Sequence, residues 1–162
     1  TLEELKALQK KNSRLKPVTY HLKTESHGST MDNRNIFSQI RYLANVYMQI
    51  PEKRYAECAR RGILWILNAQ EPKTGGFTGA DVFAITFNDD VMADVLSFLN
   101  EVVQNRELYA FVDEETCARA QNAYSRGIEC ILKTQIKVTL DDGSEILTAW
   151  CQQHSYENYA PV

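Results

Sequence analysis

The chain has 162 residues, 44% of them hydrophobic and 24% charged, with a formal net charge of -3. That length fits one domain with a real core, and the charge balance excludes a strongly basic nucleic-acid surface. No apolar run is long enough to span a membrane, and seven Gly and four Pro are few for an all-β protein.

The chain begins at Thr1 without a secretory leader pattern. The expectation is either a processed exported protein or a piece of something longer, monomeric in either case. The four cysteines, Cys58, Cys117, Cys130 and Cys151, form no C-x-x-C pair, which argues against a zinc site. Buried free thiols are the simplest reading, and a disulfide involving Cys151 is the alternative.

Residues 1–16 read as a weakly amphipathic basic helix carrying Leu2, Leu5, Leu8 and Leu15. Residues 17–34 read as an extended loop, with a short strand at 18–22. From Asn35 the period is helical: Ile36, Ile40, Leu43, Tyr47 and Ile50 share a face, and Pro51 ends the helix. A second helix over 52–70 turns Tyr55, Ala59, Ile63, Ile66 and Leu67 inward. A turn-rich loop follows, with Gly75-Gly76-Phe77-Thr78-Gly79 able to admit a ligand close to its backbone. A third helix over 89–105 carries Met92, Val95, Leu96, Leu99, Val102 and Val103. A fourth over 113–133 carries Cys117, Ala120, Tyr124, Ile128, Ile131 and Leu132. Lys137–Leu140 and Glu145–Thr148 alternate around Asp142-Gly143, a hairpin signal.

Arg61-Gly62-Ile63…Gln70 recurs as Arg126-Gly127-Ile128…Gln135, so a helix pair of about 65 residues is used twice. Glycine inside a helix costs about 1 kcal/mol relative to alanine, which close helix contact at Gly62 and Gly127 would justify. A two-helix unit stacks on its neighbour, and closed rings of such pairs form α/α toroids. The predicted class is therefore mainly α: an incomplete α/α toroid of repeated helix pairs, with a small β-hairpin near the C-terminus.

In such a ring the first helices of both pairs begin at the same end. Asp32 precedes one of them, and Asp89 and Asp90 precede the other. Carboxylates there either cap the helices or bind a hard divalent cation through oxygen, Ca²⁺ being the best candidate. Asn33 and Asn88 would add neutral oxygens. Near the C-terminus, Trp150 with Gln152, Gln153 and His154 suits sugar stacking and hydrogen bonding, or else fills the core. Arg126, Lys133 and Lys137 are candidate partners of an acidic substrate.

Thr30-Met31-Asp32-Asn33, the stretch Ile40–Tyr47, Ile85-Thr86-Phe87-Asn88-Asp89-Asp90-Val91-Met92, Tyr109–Asp113, Arg126–Ile136 and Thr148–His154 resemble, in order, the pectate lyases of polysaccharide lyase family 10. The resemblance runs from about Gly28 to Pro161. It divides the chain into an N-terminal extension, 1–27, and a partial pectate lyase-like toroid, 28–162. It implies Ca²⁺-assisted β-elimination on polygalacturonate, the backbone of pectin, by an extracellular or periplasmic protein. Nucleic acid and membrane are not implied partners. Asp32 and Asp89 match the aspartates of the family's catalytic cleft and would serve as catalytic and metal ligands with Asp90. Asn33, Asn88, Trp150 and His154 would contact substrate. The resemblance also implies that the family's catalytic arginine lies later than this sequence reaches, so activity of this chain is in doubt. The alternative is a non-catalytic remnant that binds acidic polysaccharide. Two further departures are a short Gly75-Gly76-Phe77 loop and Ser155 where the family has Asp.

Overall fold

The computed structural model describes residues 30–79 and 83–162. The helix expected over 1–16 and the strand expected at 18–22 lie outside them. The described chain runs through a short 3-10 turn (Asp32–Arg34), α1 (Phe37–Gln49), α2 (Lys53–Ala69), β1 (Ile85–Thr86), a second 3-10 turn (Asn88–Asp90), α3 (Val91–Gln104), α4 (Glu114–Thr134), β2 (Lys137–Thr139), β3 (Glu145–Leu147) and β4 (Gln153–His154). It is mainly helical, and α1 packs on α2 as α3 packs on α4.

Each pair closes over its mid-helix glycine. A Cβ on Gly62 would lie 2.7 Å from Ile40 Cγ1, and one on Gly127 would lie 2.3 Å from Leu96 Cδ2. Both are well inside van der Waals contact, so the repeated glycine is the price of two helices in close contact. The core between the pairs is aromatic. Phe37 of α1 stacks on Phe98 of α3 at 6.1 Å, and Phe98 meets Tyr109 edge-on. Arg41 lies over both Phe37 and Phe98 and donates to Glu101 Oε2 at 2.7 Å. The Tyr109 hydroxyl donates to Glu101 Oε1 at 2.9 Å. Burial, with the Glu101 carboxylate beside it, pushes the Tyr109 phenol well above its usual range.

Two helical faces differ from expectation. In α1 the buried residues are Phe37, Ile40 and Ala44, whereas Ile36 sits outside the helix at φ 66° and Ile50 is exposed. In α4 the buried stripe is Thr116, Ala120, Ala123, Gly127, Cys130 and Thr134. Ile128 and Leu132, expected inward, are exposed. The reason is distance: a helix this close to its partner presents its smallest residues, and its larger apolar side chains are turned aside. The hairpin is as expected, with Val138 opposite Ile146 and Gly143 at φ 81°. No two of the four cysteines are bonded to each other, and of the thiols expected to be buried only Cys130 is; Cys58 is exposed and Cys117 and Cys151 are half-buried. Among the described residues no helix is long and apolar enough to cross a membrane.

Candidate functional site

The two acidic turns meet. The turn Asp32–Arg34 packs against the turn Asn88–Asp90 and against α3, and Arg34 Nε reaches Asp94 Oδ2 at 3.2 Å, fastening the first turn to the start of α3. Both turns are left-handed. Asn33, Arg34, Asp89 and Asp90 have φ of 53°, 62°, 52° and 56°, a region that non-glycine residues enter at a cost and that Asn and Asp tolerate best. Counted back from Ile40 and Leu96, which lie over the two glycines, the two turns fall at the same place in the repeat, Asp32–Arg34 at the position of Asn88–Asp90.

The carboxylate at the N-cap of α3 is not used as a cap. Asp90 stands at the N-cap of α3 and Ile36 at that of α1, and neither makes a side-chain cap hydrogen bond. By contrast Asp113 caps α4 by accepting from the Thr116 amide at 2.7 Å. The amide of Thr116, with its hydroxyl and Arg60, holds the Asp113 carboxyl down to about 2.

Asp32 is seated by glycine: a Cβ on Gly79 would come within 2.5 Å of Asp32 Oδ1. The Gly79 amide donates to Thr86 Oγ1 at 3.0 Å, and the Thr86 amide donates to the Phe77 carbonyl at 3.0 Å. The segments around Phe77–Gly79 and Ala84–Thr86 therefore lie side by side against the carboxylate. In the same loop Gly75 and Gly76 serve packing instead. A Cβ on Gly75 would strike the Arg126 backbone, and one on Gly76 would strike Ile85. The Glu71 side chain ties this loop by accepting from Thr74 Oγ1 at 2.7 Å. Burial raises the Glu71 pKa, but bonds from Thr74 and Lys73 and the charge of Arg126 outweigh it, leaving it below the usual range.

Asn88 Nδ2 donates to Asp89 Oδ2 at 3.0 Å. Asn88 Oδ1 is then buried without a hydrogen-bond partner among the described residues. The opposite amide orientation would set two oxygens against each other, so the orphaned atom is the oxygen. Asp32, Asn88, Asp89 and Asp90 offer oxygen only, the donor chemistry of a hard cation. Among the described residues no group of three or more His, Cys, Asp or Glu converges into a metal cage. A cation held here would take its remaining oxygens from a ligand.

The C-terminal motif buttresses this site from behind. Its β4 pairs antiparallel with β1, Ile85 opposite His154, and the Gln152 carbonyl accepts from the Phe87 amide at 2.8 Å and the Asn88 amide at 3.3 Å. His154, expected among the substrate contacts, is fully buried. Its Nε2 accepts from the Cys151 amide at 3.0 Å, so its Nδ1 carries the proton donated to the Tyr159 carbonyl at 2.8 Å. Both nitrogens are used, and His154 positions backbone. Trp150 is 40% exposed; its Nε1 donates to the Ile131 carbonyl at 2.8 Å and its ring faces Phe87 at 6.5 Å. The three basic candidates are engaged elsewhere: Arg126 donates to the Glu71 and Pro72 carbonyls, Lys133 pairs with Glu129 and Lys137 with Glu145. Gly79 and Gln152 figured in the sequence only as parts of a ligand loop and a sugar-contact motif, and Thr86 had no assigned role; the contacts they make here are long-range and leave no local pattern.

The fold is one found in polysaccharide lyases. A family 10 polysaccharide lyase from Cellvibrio cellulosa superposes with a TM-score of 0.71 at 28% identity, over 82% of this chain and 42% of that one. A mutant of a family 10 polysaccharide lyase from Cellvibrio cellulosa, in complex with trigalacturonic acid, superposes with the same TM-score at 27% identity and the same coverage. The chain thus spans about two-fifths of the length of these relatives. The family model described as pectic acid lyase matches residues 6–162, and the chain belongs to that family. No curated protein sequence matches it.

Proposed function

We propose that the meeting point of the two acidic turns is the carbohydrate site of a pectate lyase-like protein, taking polygalacturonate together with Ca²⁺. The observation that carries this reading is the packing of Asp32–Arg34 on Asn88–Asp90, two turns with left-handed backbone that gather oxygen donors. The bound trigalacturonic acid of the structural relative supports the substrate class. Asp32 and Asp89 are the principal carboxylates, Asp90 and Asn88 the accessory oxygens, and Asn33 and Trp150 the rim that meets sugar. His154 contributes by fixing the Cys151–Tyr159 backbone behind β1. Asp32 and Asp89 would hold Ca²⁺, whose charge would acidify the C5 proton of a uronate bound beside them. In β-elimination that proton leaves to a base and the 4-linked sugar departs, giving a 4,5-unsaturated end. We assign the base to none of the described residues. A polymer substrate supports a location outside the cytoplasm, in the medium or the periplasm.

The test is electrophoretic retardation in polygalacturonate-containing gels, with Ca²⁺ and with chelator. Retardation that chelator abolishes, and that Asp89→Ala and Asp32→Ala abolish, is expected. Equal mobility of parent and both variants overturns the reading. Absorbance of unsaturated uronate separates catalysis from the second reading, a module that binds acidic polysaccharide without cleaving it. Binding without turnover is the outcome of that second reading for the 162-residue chain. Chelator-sensitive turnover would place a base within it.

A further inference from the structure

One aromatic pair beside the acidic site is used by nothing described so far. Phe83 is 87% exposed, more than any other large apolar residue described. Single exposed apolar side chains are ordinary, but this one is neither isolated nor remote. Its ring lies 5.1 Å from that of Tyr156 at an interplanar angle of 57°. Tyr156 is half-buried against the core, and its hydroxyl is hydrogen-bonded with Thr78. Thr78 precedes Gly79, the residue against which Asp32 is seated, and Phe83 leads through Ala84 into β1 and the Asn88–Asp90 turn. The pair therefore stands beside the two segments, Phe77–Gly79 and Ala84–Thr86, that lie against the Asp32 carboxylate: Phe83 leads into the second, and Tyr156 reaches the first through Thr78. Tyr156 holds the platform in place, and Phe83 leaves its own ring to solvent.

We propose that Phe83 and Tyr156 form an aromatic platform that stacks against one pyranose ring of the polymer, next to the ring whose carboxylate meets the acidic turns. A pyranose presents a face of C–H groups that an aromatic face covers, burying apolar surface on both without demanding a charge. Acidic turns that would recognise uronate carboxylates by way of a cation cannot by themselves fix which way a sugar chain lies. A flat contact to one side fixes its direction. The platform rests on the polygalacturonate reading above and deepens it.

The experiment measures binding of hexagalacturonate to the full chain in excess Ca²⁺ by calorimetry, for the parent, Phe83→Ala, Phe83→Trp and Asp89→Asn. Phe83→Ala is expected to weaken binding about 3- to 10-fold with an unchanged melting temperature, because the side chain is exposed. Phe83→Trp restores the affinity, which a merely structural role would not allow. The loss at Phe83→Ala persists at high salt, unlike the loss at Asp89→Asn, which removes a charge. Parent-like binding by Phe83→Ala, or equal weakening by Phe83→Ala and Phe83→Trp, overturns the platform while leaving the polygalacturonate reading intact. Absence of binding by the parent chain overturns both.

Discussion

Replacing Gly127 by alanine tests the closest contact in the fold. The new Cβ would sit 2.3 Å from Leu96 Cδ2, 3.0 Å from Cδ1 and 3.2 Å from Cγ. All three clashes fall on one side chain, and Leu96 is only 3% exposed, so it has no open space to swing into. Overpacking of this kind costs about 1–3 kcal/mol. Alanine returns about 1 kcal/mol of helix propensity. Three simultaneous clashes place the cost near its upper end, and the net destabilisation expected is about 1–2 kcal/mol. In a Leu96→Ala background the clash disappears and the propensity gain remains, so the same substitution should stabilise by about 1 kcal/mol. The coupling between the sites is then about 2–3 kcal/mol, within the range of contacting pairs. Urea unfolding followed by the fluorescence of Trp65 and Trp150 reads it as shifts of the midpoint at constant slope. A Gly127→Ala protein as stable as the parent, or one equally destabilised in both backgrounds, would refute the idea that this glycine exists for helix approach.

The other predictions concern the site and its supports. His154→Ala leaves the Cys151 amide and the Tyr159 carbonyl without their buried partners; a loss of about 3 kcal/mol is expected, and an unchanged unfolding midpoint would contradict it. Asp113 titrates at about 2 in the fold against an ordinary 3.8, so its contribution is complete above about pH 4 and is lost as pH falls toward 2. Asp113→Asn should flatten the stability profile in that window, and identical profiles would argue against the cap. Burial lifts the Cys130 thiol to about 11 while Cys58 is exposed. A thiol reagent at pH 8 should therefore modify Cys58 in the native protein and Cys130 only after denaturant is added, as peptide mapping would show.

Much of the fold was legible in the chain itself. The helical period located all four described helices to within two residues, because an amphipathic face is written locally at every turn. The repeated Arg-Gly-Ile…Gln string announced the helix pairs, and Gly62 and Gly127 announced the close contacts, since a helix carries glycine at a cost only where something requires it. Asp142-Gly143 announced the hairpin because a tight turn needs a residue at ease with positive φ, as Gly143 is at 81°. The family motifs also pointed to Asp32 and Asp89 before their turns were seen to touch.

Tertiary structure decided what those residues face. The inner side of α4 is Ala120, Ala123, Gly127 and Cys130 rather than Ile128 and Leu132, because the distance to α3 selects small side chains and periodicity registers only apolar ones. Whether Asp89 and Asp90 cap α3 was open in the sequence; left-handed backbone at both residues answered it, and no local pattern encodes that. His154 looked like a ligand contact and is a buried clamp, since its two partners are backbone groups set by the loop around it. The pairing of β1 with β4 lies across nearly 70 residues of chain. Local sequence sets propensity and period, but which carboxylate is packed against glycine, which oxygen is left unpartnered and which aromatic ring stays in water depend on contacts between segments that only the folded chain brings together.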